Sequence, residues 1–425
     1  MGILFSMLGN WVSREELPVV LVPPLFDFPP LAARYRMLES SYDILFSKLS
    51  RACLFGDYFQ ESGQMMARIL LRPPDDPRVD FTATLRGPFG SNTDAKADAI
   101  FRWQQHPQDP HNFMDIKVSN SNNTLQLRSC AFFRDYGTGV FAILPILIQK
   151  RINLEDYGTM GIRYGSKHLS VGTTFTPVPS KEFPASVWMV SRIGQITSGF
   201  QYKPIGKEQT GSIHDLRNWS FAIDYGTGKK GPLNPSFNFS MEYCNNEKLI
   251  ASFYQHLVVQ RKVKNPFEED AVVGITNYVD LGFEFHSRIS GKELHANQGE
   301  SNFQVAASWQ ANKNILLKAK FGSVSSAAAL TFKSWWQPSA AFSFAFVRDH
   351  LHGNTKCGFG IHIDNLRDAS YERADPNYVM LTPTKQHVAE GILQNHHKRP
   401  MLKTDVTSGN FEALPKSLHP IDDII

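Results

Sequence analysis

Apolar and polar residues alternate one for one along most of the middle of the chain. Val79, Phe81, Ala83 and Leu85 are interleaved with Asp80, Thr82, Thr84 and Arg86, and Trp219, Phe221, Ile223 and Tyr225 with Asn218, Ser220 and Asp224. Phe237, Phe239, Met241 and Tyr243 alternate with Ser236, Asn238, Ser240 and Glu242. Ile315, Leu317, Ala319 and Phe321 share a run with Lys318 and Lys320. A period of two marks a strand with one apolar and one polar face. Turn chemistry separates the runs, as at Arg72–Pro77, Ser119–Asn123, Gly226–Gly231 and Gly291-Lys292. About 19 such runs fit between Ala67 and Asp364, and no helical period interrupts them.

The pattern changes at both ends. In Leu31–Leu49, the residues Leu31, Tyr35, Leu38, Tyr42, Leu45 and Leu49 recur at spacings of three and four, which predicts one amphipathic helix. Such a helix packs on a core, in a barrel lumen or on a membrane surface. Beyond residue 365 the chain turns polar. The expected organisation is an N-terminal extension with its helix (1–62), a strand region (63–365) and a polar C-terminal tail (366–425).

Composition decides what the apolar faces meet. The chain has 425 residues, with 31 Phe, 13 Tyr and 7 Trp, yet its charged fraction is only 20%, and its mean hydropathy is slightly negative. Apolar faces on so many strands need either a second layer or lipid. The fold expected is therefore all-β, a transmembrane antiparallel barrel of about 19 strands with an N-terminal amphipathic helix. A spanning helix needs about 20 apolar residues, and the best runs, Val19–Phe26 and Val140–Ile148, are shorter and hold Pro23, Pro24 and Pro145. Gly2–Leu8 is apolar but lacks a basic flank and a small-residue cleavage site, so no secretory signal is expected. Cys53, Cys130, Cys244 and Cys357 are too scattered for a disulfide framework or a zinc site.

The phase of each strand assigns its polar residues to a lumen. Arg86, Lys117, Arg128, Arg163, Lys318, Lys320 and Lys333 share that face with Asp80, Asp115, Asp224, Glu242, Glu284 and Asp364. The near balance predicts a wide, weakly selective passage with at most a slight anion preference. Net charge is +4 from 44 basic and 40 acidic residues, which gives no basis for a nucleic-acid partner.

Other motifs carry little. Gly226-x-Gly228-x-x-Gly231 has the letters of a dinucleotide fingerprint, but Pro232, Pro235 and another alternating run follow it instead of a helix, so no cofactor is expected. Met1-Gly2 to Ser6 fits the loose myristoylation pattern, and the sequons at Asn218 and Asn238 fall inside strands. His350, His352, His396 and His397 lack metal-ligand companions, and no nucleophile elbow, HExxH or phosphate loop occurs. The expectation is a protein without enzymatic chemistry. Asp-Tyr-Gly-Thr recurs at 135–138, 156–159 and 224–227, where each Tyr could anchor at a membrane–water interface.

The last alternating run holds Lys356-x-Gly358-x-x-Ile361-x-Ile363. This polar-x-Gly-x-x-hydrophobic-x-hydrophobic pattern resembles the sorting signal in the final strand of eukaryotic outer-membrane barrels. With it, the whole strand region resembles the mitochondrial porin family of voltage-dependent anion channels and their translocase relatives, in particular a distant plant branch. That resemblance implies an N-terminal helix and nineteen strands in the mitochondrial outer membrane, with the plastid outer envelope as the alternative. It implies a porin-like channel passing ions or small metabolites through a membrane lipid bilayer. A barrel that handles protein or lipid, or a scaffold that docks protein partners through the C-terminal tail, is the competing expectation. The chain departs from the family in its longer N-terminal extension, its long tail and the lack of the Gly-Leu-Lys element. Solute identity and voltage gating are therefore not implied.

Overall fold

The protein is described from a computed structural model, which covers residues 37–364 apart from 57–58, 60–62, 74, 77, 89–94, 107–110, 122, 149–157, 177–185, 205–214, 229–234, 265–270, 289–302, 313 and 335–338. Leu31, Tyr35, the copy of the Tyr motif at Tyr157, His396, His397, Gly2 and the C-terminal tail lie outside the described residues.

Nineteen strands follow one another around a closed sheet. They are β1 (Gln64–Leu71), β2 (Val79–Pro88), β3 (Lys96–Gln104), β4 (Phe113–Ser119), β5 (Thr124–Phe133), β6 (Thr138–Ile148) and β7 (Thr159–Gly165). Next come β8 (Leu169–Phe175), β9 (Ser186–Ile193), β10 (Ile196–Tyr202), β11 (Trp219–Gly228), β12 (Ser236–Cys244) and β13 (Lys248–Lys264). The circuit ends with β14 (Ala271–Arg288), β15 (Phe303–Gln310), β16 (Ile315–Gly322), β17 (Ser325–Ser334), β18 (Ser339–Asp349) and β19 (Thr355–Asp364). Each neighbouring pair is antiparallel except the seam, where β1 runs parallel to β19. An up-and-down circuit with an odd number of strands ends in the direction in which it began, so closure has to be parallel. The barrel is therefore mixed at one pair rather than wholly antiparallel.

Local chemistry explains the turns. Asn245 and Asn246, at φ 56° and 58°, are the central residues of the turn between β12 and β13, which Glu247 N–H closes by donating to the Cys244 carbonyl (3.0 Å); asparagine tolerates this conformation, which matches strand twist. Gly137 and Gly194 take φ 64° and 60° in the β5–β6 and β9–β10 turns. Pro145 sits in β6 beside the register shift at Leu125/Gln126, since a proline cannot donate to the ladder. Gly226 and Gly228 belong to β11, and a strand follows, as expected for a hairpin rather than a nucleotide loop.

The strands keep a period of two, interrupted at the register shifts of the β5–β6 and β13–β14 ladders. Among the strand positions whose side chains are described, the outward face is aliphatic, aromatic or small apart from Gln255 and Asn277, and its one Asp, Glu, Lys or Arg is Arg348, near the end of β18. Phe133, Phe239, Trp309 and Phe346 stay exposed there (55%, 43%, 47% and 54%). Tyrosine hydroxyls at both rims reach turn amides: Tyr225 donates to Gln195 Oε1 (2.8 Å) and Tyr243 to Asn246 Oδ1 (2.6 Å). Tyr136 sits in a turn on the same rim as Tyr225.

Inside the barrel lies the end of the N-terminal extension. Two short helices replace the single helix expected: α1 (Ser41–Ile44) and α2 (Lys48–Phe55). They are divided at Phe46 and Ser47, both at φ 59°, which no continuous helix accommodates. Among the described residues no helix is long and apolar enough to cross a membrane.

Candidate functional site

The inward face of the barrel and the segment it holds form the candidate site. The thirteen residues assigned to the lumen by strand phase (Arg86, Lys117, Arg128, Arg163, Lys318, Lys320, Lys333, Asp80, Asp115, Asp224, Glu242, Glu284 and Asp364) lie on the inward side of their strands. Six of them grip the N-terminal segment rather than line an open passage.

The grip begins at α1. Arg163 donates to Ser41 Oγ (2.7 Å) and to the Glu39 carbonyl (3.3 Å), and Ser41 also meets Ser170 (2.7 Å). Gln201 donates to Ser40 Oγ and Asp43 Oδ2 (3.0 and 3.1 Å). At the break Ser47 donates to Asp224 (3.3 Å), and Ser240 to the Phe46 carbonyl (3.1 Å). Along α2, Lys48 pairs with Glu242 (2.6 Å) and Arg51 with Glu284 (3.6 Å). At its end, Lys318 donates to the Cys53 carbonyl (2.5 Å) and Lys320 to the Phe55 carbonyl (3.1 Å). These carbonyls belong to the last turn, which has no intrahelical partners and carries the negative end of the dipole, so wall lysines are the fitting cap.

Apolar contacts follow the same path. Met37, Leu38, Tyr42 and Phe46 pack on Phe113, Cys130, Phe132, Phe141, Trp188, Val190 and Ala222 of the inner wall. Leu54 and Phe55 lie on Tyr254 and Ala306, and Phe59 on Ala327, Ala329 and Ala345. Burial and then the Glu242 carboxylate push the Tyr42 hydroxyl well above its ordinary pKa, so it stays neutral. Glycines open the room for this seat. A Cβ on Gly172 would stand 2.1 Å from the Trp188 ring, and one on Gly282 2.4 Å from Leu54. Gly172→Val is therefore expected to lower barrel stability by about 1–3 kcal/mol through overpacking, read as an earlier denaturant midpoint.

The remaining charges are distributed around the wall. Asp115 accepts from Arg102 (2.9 Å) and from both Nε and NH2 of Arg128 (2.8 and 2.9 Å), a buried cluster with a net positive charge. Lys333 pairs with Asp364 (3.0 Å). Arg86 and Lys117 also stand on this face, Arg86 near one rim. His256 and Tyr254 both meet Asp280 (2.6 and 2.9 Å) at the wall. Sequence phase had left out six basic residues, Arg68, Lys96, Arg102, Arg192, Lys248 and Arg288, and two acidic ones, Asp98 and Asp280, which also lie on the inward side. The inner face is consequently more basic than the near balance expected. The missing signal was present in the pattern: Lys96, Asp98 and Arg102 alternate with Ala97, Ala99, Phe101 and Trp103.

The sorting-type residues are all in β19, where Ile361 and Ile363 pair with Ala67 and Ile69 across the seam and face outward. Gly358 faces inward, and Lys356 stands at the start of the strand beside Gly63. No group of three metal-ligating side chains occurs among the described residues. Sequence comparison finds no protein-family model and no curated protein that matches the chain.

The lysine caps give a direct test of the grip. Lys318→Met together with Lys320→Met removes two hydrogen bonds from charged donors, each worth about 1.5–3 kcal/mol. Protease cleavage within Lys48–Phe55 should rise by at least about tenfold while the strand signal in circular dichroism is unchanged.

Proposed function

We propose that the chain is a membrane-spanning barrel that passes ions or small metabolites passively and with weak selectivity, in an outer membrane of mitochondrial or plastid type. The observation that carries this reading is the division between the two faces. A charged residue facing lipid at mid-bilayer costs about 2–4 kcal/mol, and the outward positions with described side chains carry no charge except Arg348 near one strand end. Tyrosines with wet tips at both rims suit the two interfaces of a bilayer. The inward face offers water-compatible groups with a basic surplus, which supports a modest preference for anions.

Size supports passage as well. Nineteen strands about 4.8 Å apart and tilted about 40° make a backbone cylinder roughly 38 Å across. The N-terminal segment narrows this lumen, since a helix with its side chains is about 10–12 Å wide. The place of the sorting-type pattern in the closing strand supports outer-membrane delivery, and Gly358→Glu with Ile361→Asp is expected to leave the chain outside the membrane fraction.

Two measurements test the proposal. Alkaline carbonate should leave the protein in the membrane pellet, and release would count against a spanning barrel. Purified protein in planar bilayers should give stepwise conductance with a reversal potential shifted slightly toward anions. A silent bilayer would leave the scaffold reading in its place.

A further inference from the structure

Four neighbouring strands are short. β7, β8 and β10 hold 7 residues each and β9 holds 8, whereas β17, β18 and β19 hold 10, 11 and 10. At about 3.3 Å per residue and a tilt of about 40°, a seven-residue strand rises about 18 Å and a ten-residue strand about 25 Å. The apolar band of a spanning barrel is about 25 Å tall. The wall at β7–β10 therefore falls about 7 Å short of a bilayer that β17–β19 match.

The outward chemistry changes over the same strands. Ser191 of β9 stands directly opposite Ser198 of β10, just inside the strand ends at Ile193 and Ile196. Thr173 of β8 also faces outward, between Ile162 and Val187. β9 and β17 run in the same direction, and near the same rim β17 and β18 present Phe332 opposite Phe342.

The turn beside the serines is basic. Lys167 and His168 are exposed between β7 and β8, and the His168 carbonyl accepts from the Arg192 amide (2.8 Å), which sets this turn against the end of β9. Tyr136 and Tyr164 are exposed at the same rim, with Arg134 and Asp135 in the turn between β5 and β6. Hydroxyl donors, a lysine and tyrosines suit a phosphodiester at a membrane surface. A spanning wall that is too short is accommodated by thinning the bilayer against it.

We infer that the bilayer surface dips along β7–β10 and that phospholipid headgroups seat their phosphates at Ser191, Ser198 and Lys167. The inference rests on the membrane-spanning reading. A symmetric second copy on this face would bring another Lys167 to the same place, whereas a phosphate brings the opposite charge.

Spin labels on Ser198→Cys, Met189→Cys and Phe332→Cys, each in a chain whose four native cysteines are alanine, test it in phosphatidylcholine liposomes. The label at position 198 should relax the lipid phosphorus resonance at least about threefold more than the label at 332. Met189 lies one row deeper, opposite Phe200, so its label should meet oxygen dissolved in the hydrocarbon. Ser191→Leu with Lys167→Glu should cut the phosphorus effect at 198 at least about twofold. Equal phosphorus relaxation from 198 and 332 would overturn the inference, and the spanning reading would stand if 189 and 332 still meet oxygen in lipid. An effect untouched by the double change would also overturn it. So would label–label broadening at 198 that grows with protein density, the sign of a second copy. If neither 189 nor 332 meets lipid, the spanning reading fails and the inference falls with it.

Discussion

Phe239→Arg is expected to reduce the folded, membrane-inserted fraction about 30- to 1,000-fold, whereas Phe239→Leu changes it little. Phe239 faces outward on β12, opposite Tyr225 and Phe253, and 43% of its surface is exposed. If that surface is covered by lipid, a guanidinium there loses water without gaining a partner, at about 2–4 kcal/mol, and 1.4 kcal/mol is a factor of ten. Denaturant titration of the protein refolded into liposomes reads the effect as a shift in midpoint at constant slope. An exposed aromatic on a soluble sheet would give the opposite result, since arginine in water is nearly neutral for stability.

The second large effect belongs to the segment in the lumen. Removing residues 1–59 takes out α1, α2 and the anchor Phe59. Single-channel conductance is expected to rise at least about twofold, because a helix 10–12 Å wide fills a substantial part of the lumen. Ion preference should change much less. The grip uses Arg163, Lys318 and Lys320 together with Asp224, Glu242 and Glu284, so the wall exposed on removal is nearly balanced. A conductance that stays the same would place the conducting path elsewhere; a strong swing in selectivity would mean that the segment's own charges set it.

Much of the barrel was legible in the chain. Strand phase is a local property, so alternation around residues such as Phe239 and Glu242 indicated an approximate number of strands and the side on which such residues stand. The parallel seam follows from the odd count, yet it is invisible in any single strand. The inner apolar patch was harder to see. Phe141 and Trp188 sit at inward phase only because Gly161 and Gly172 opposite them leave room for the rings. That is a relation between neighbouring strands, which a one-strand reading does not contain. The N-terminal helix was misjudged for a similar reason. The spacing from Leu38 to Leu45 is helical, but the wall contacts of Phe46 and the Ser240 bond to its carbonyl go with a left-handed break there. What the lumen residues do also depended on partners far away in sequence: Lys318 and Cys53 are separated by 265 positions.

The most direct test of the two-faced barrel is a scan of single labelled cysteines along β12 in liposomes, from Phe237 to Glu242, with a lipid-soluble and a water-soluble quencher. Labels at Phe237, Phe239 and Met241 should respond to the lipid-soluble quencher, and those at Asn238, Ser240 and Glu242 should not. Quenching of all six from water, with no period of two, would contradict the assignment of the outward face to lipid.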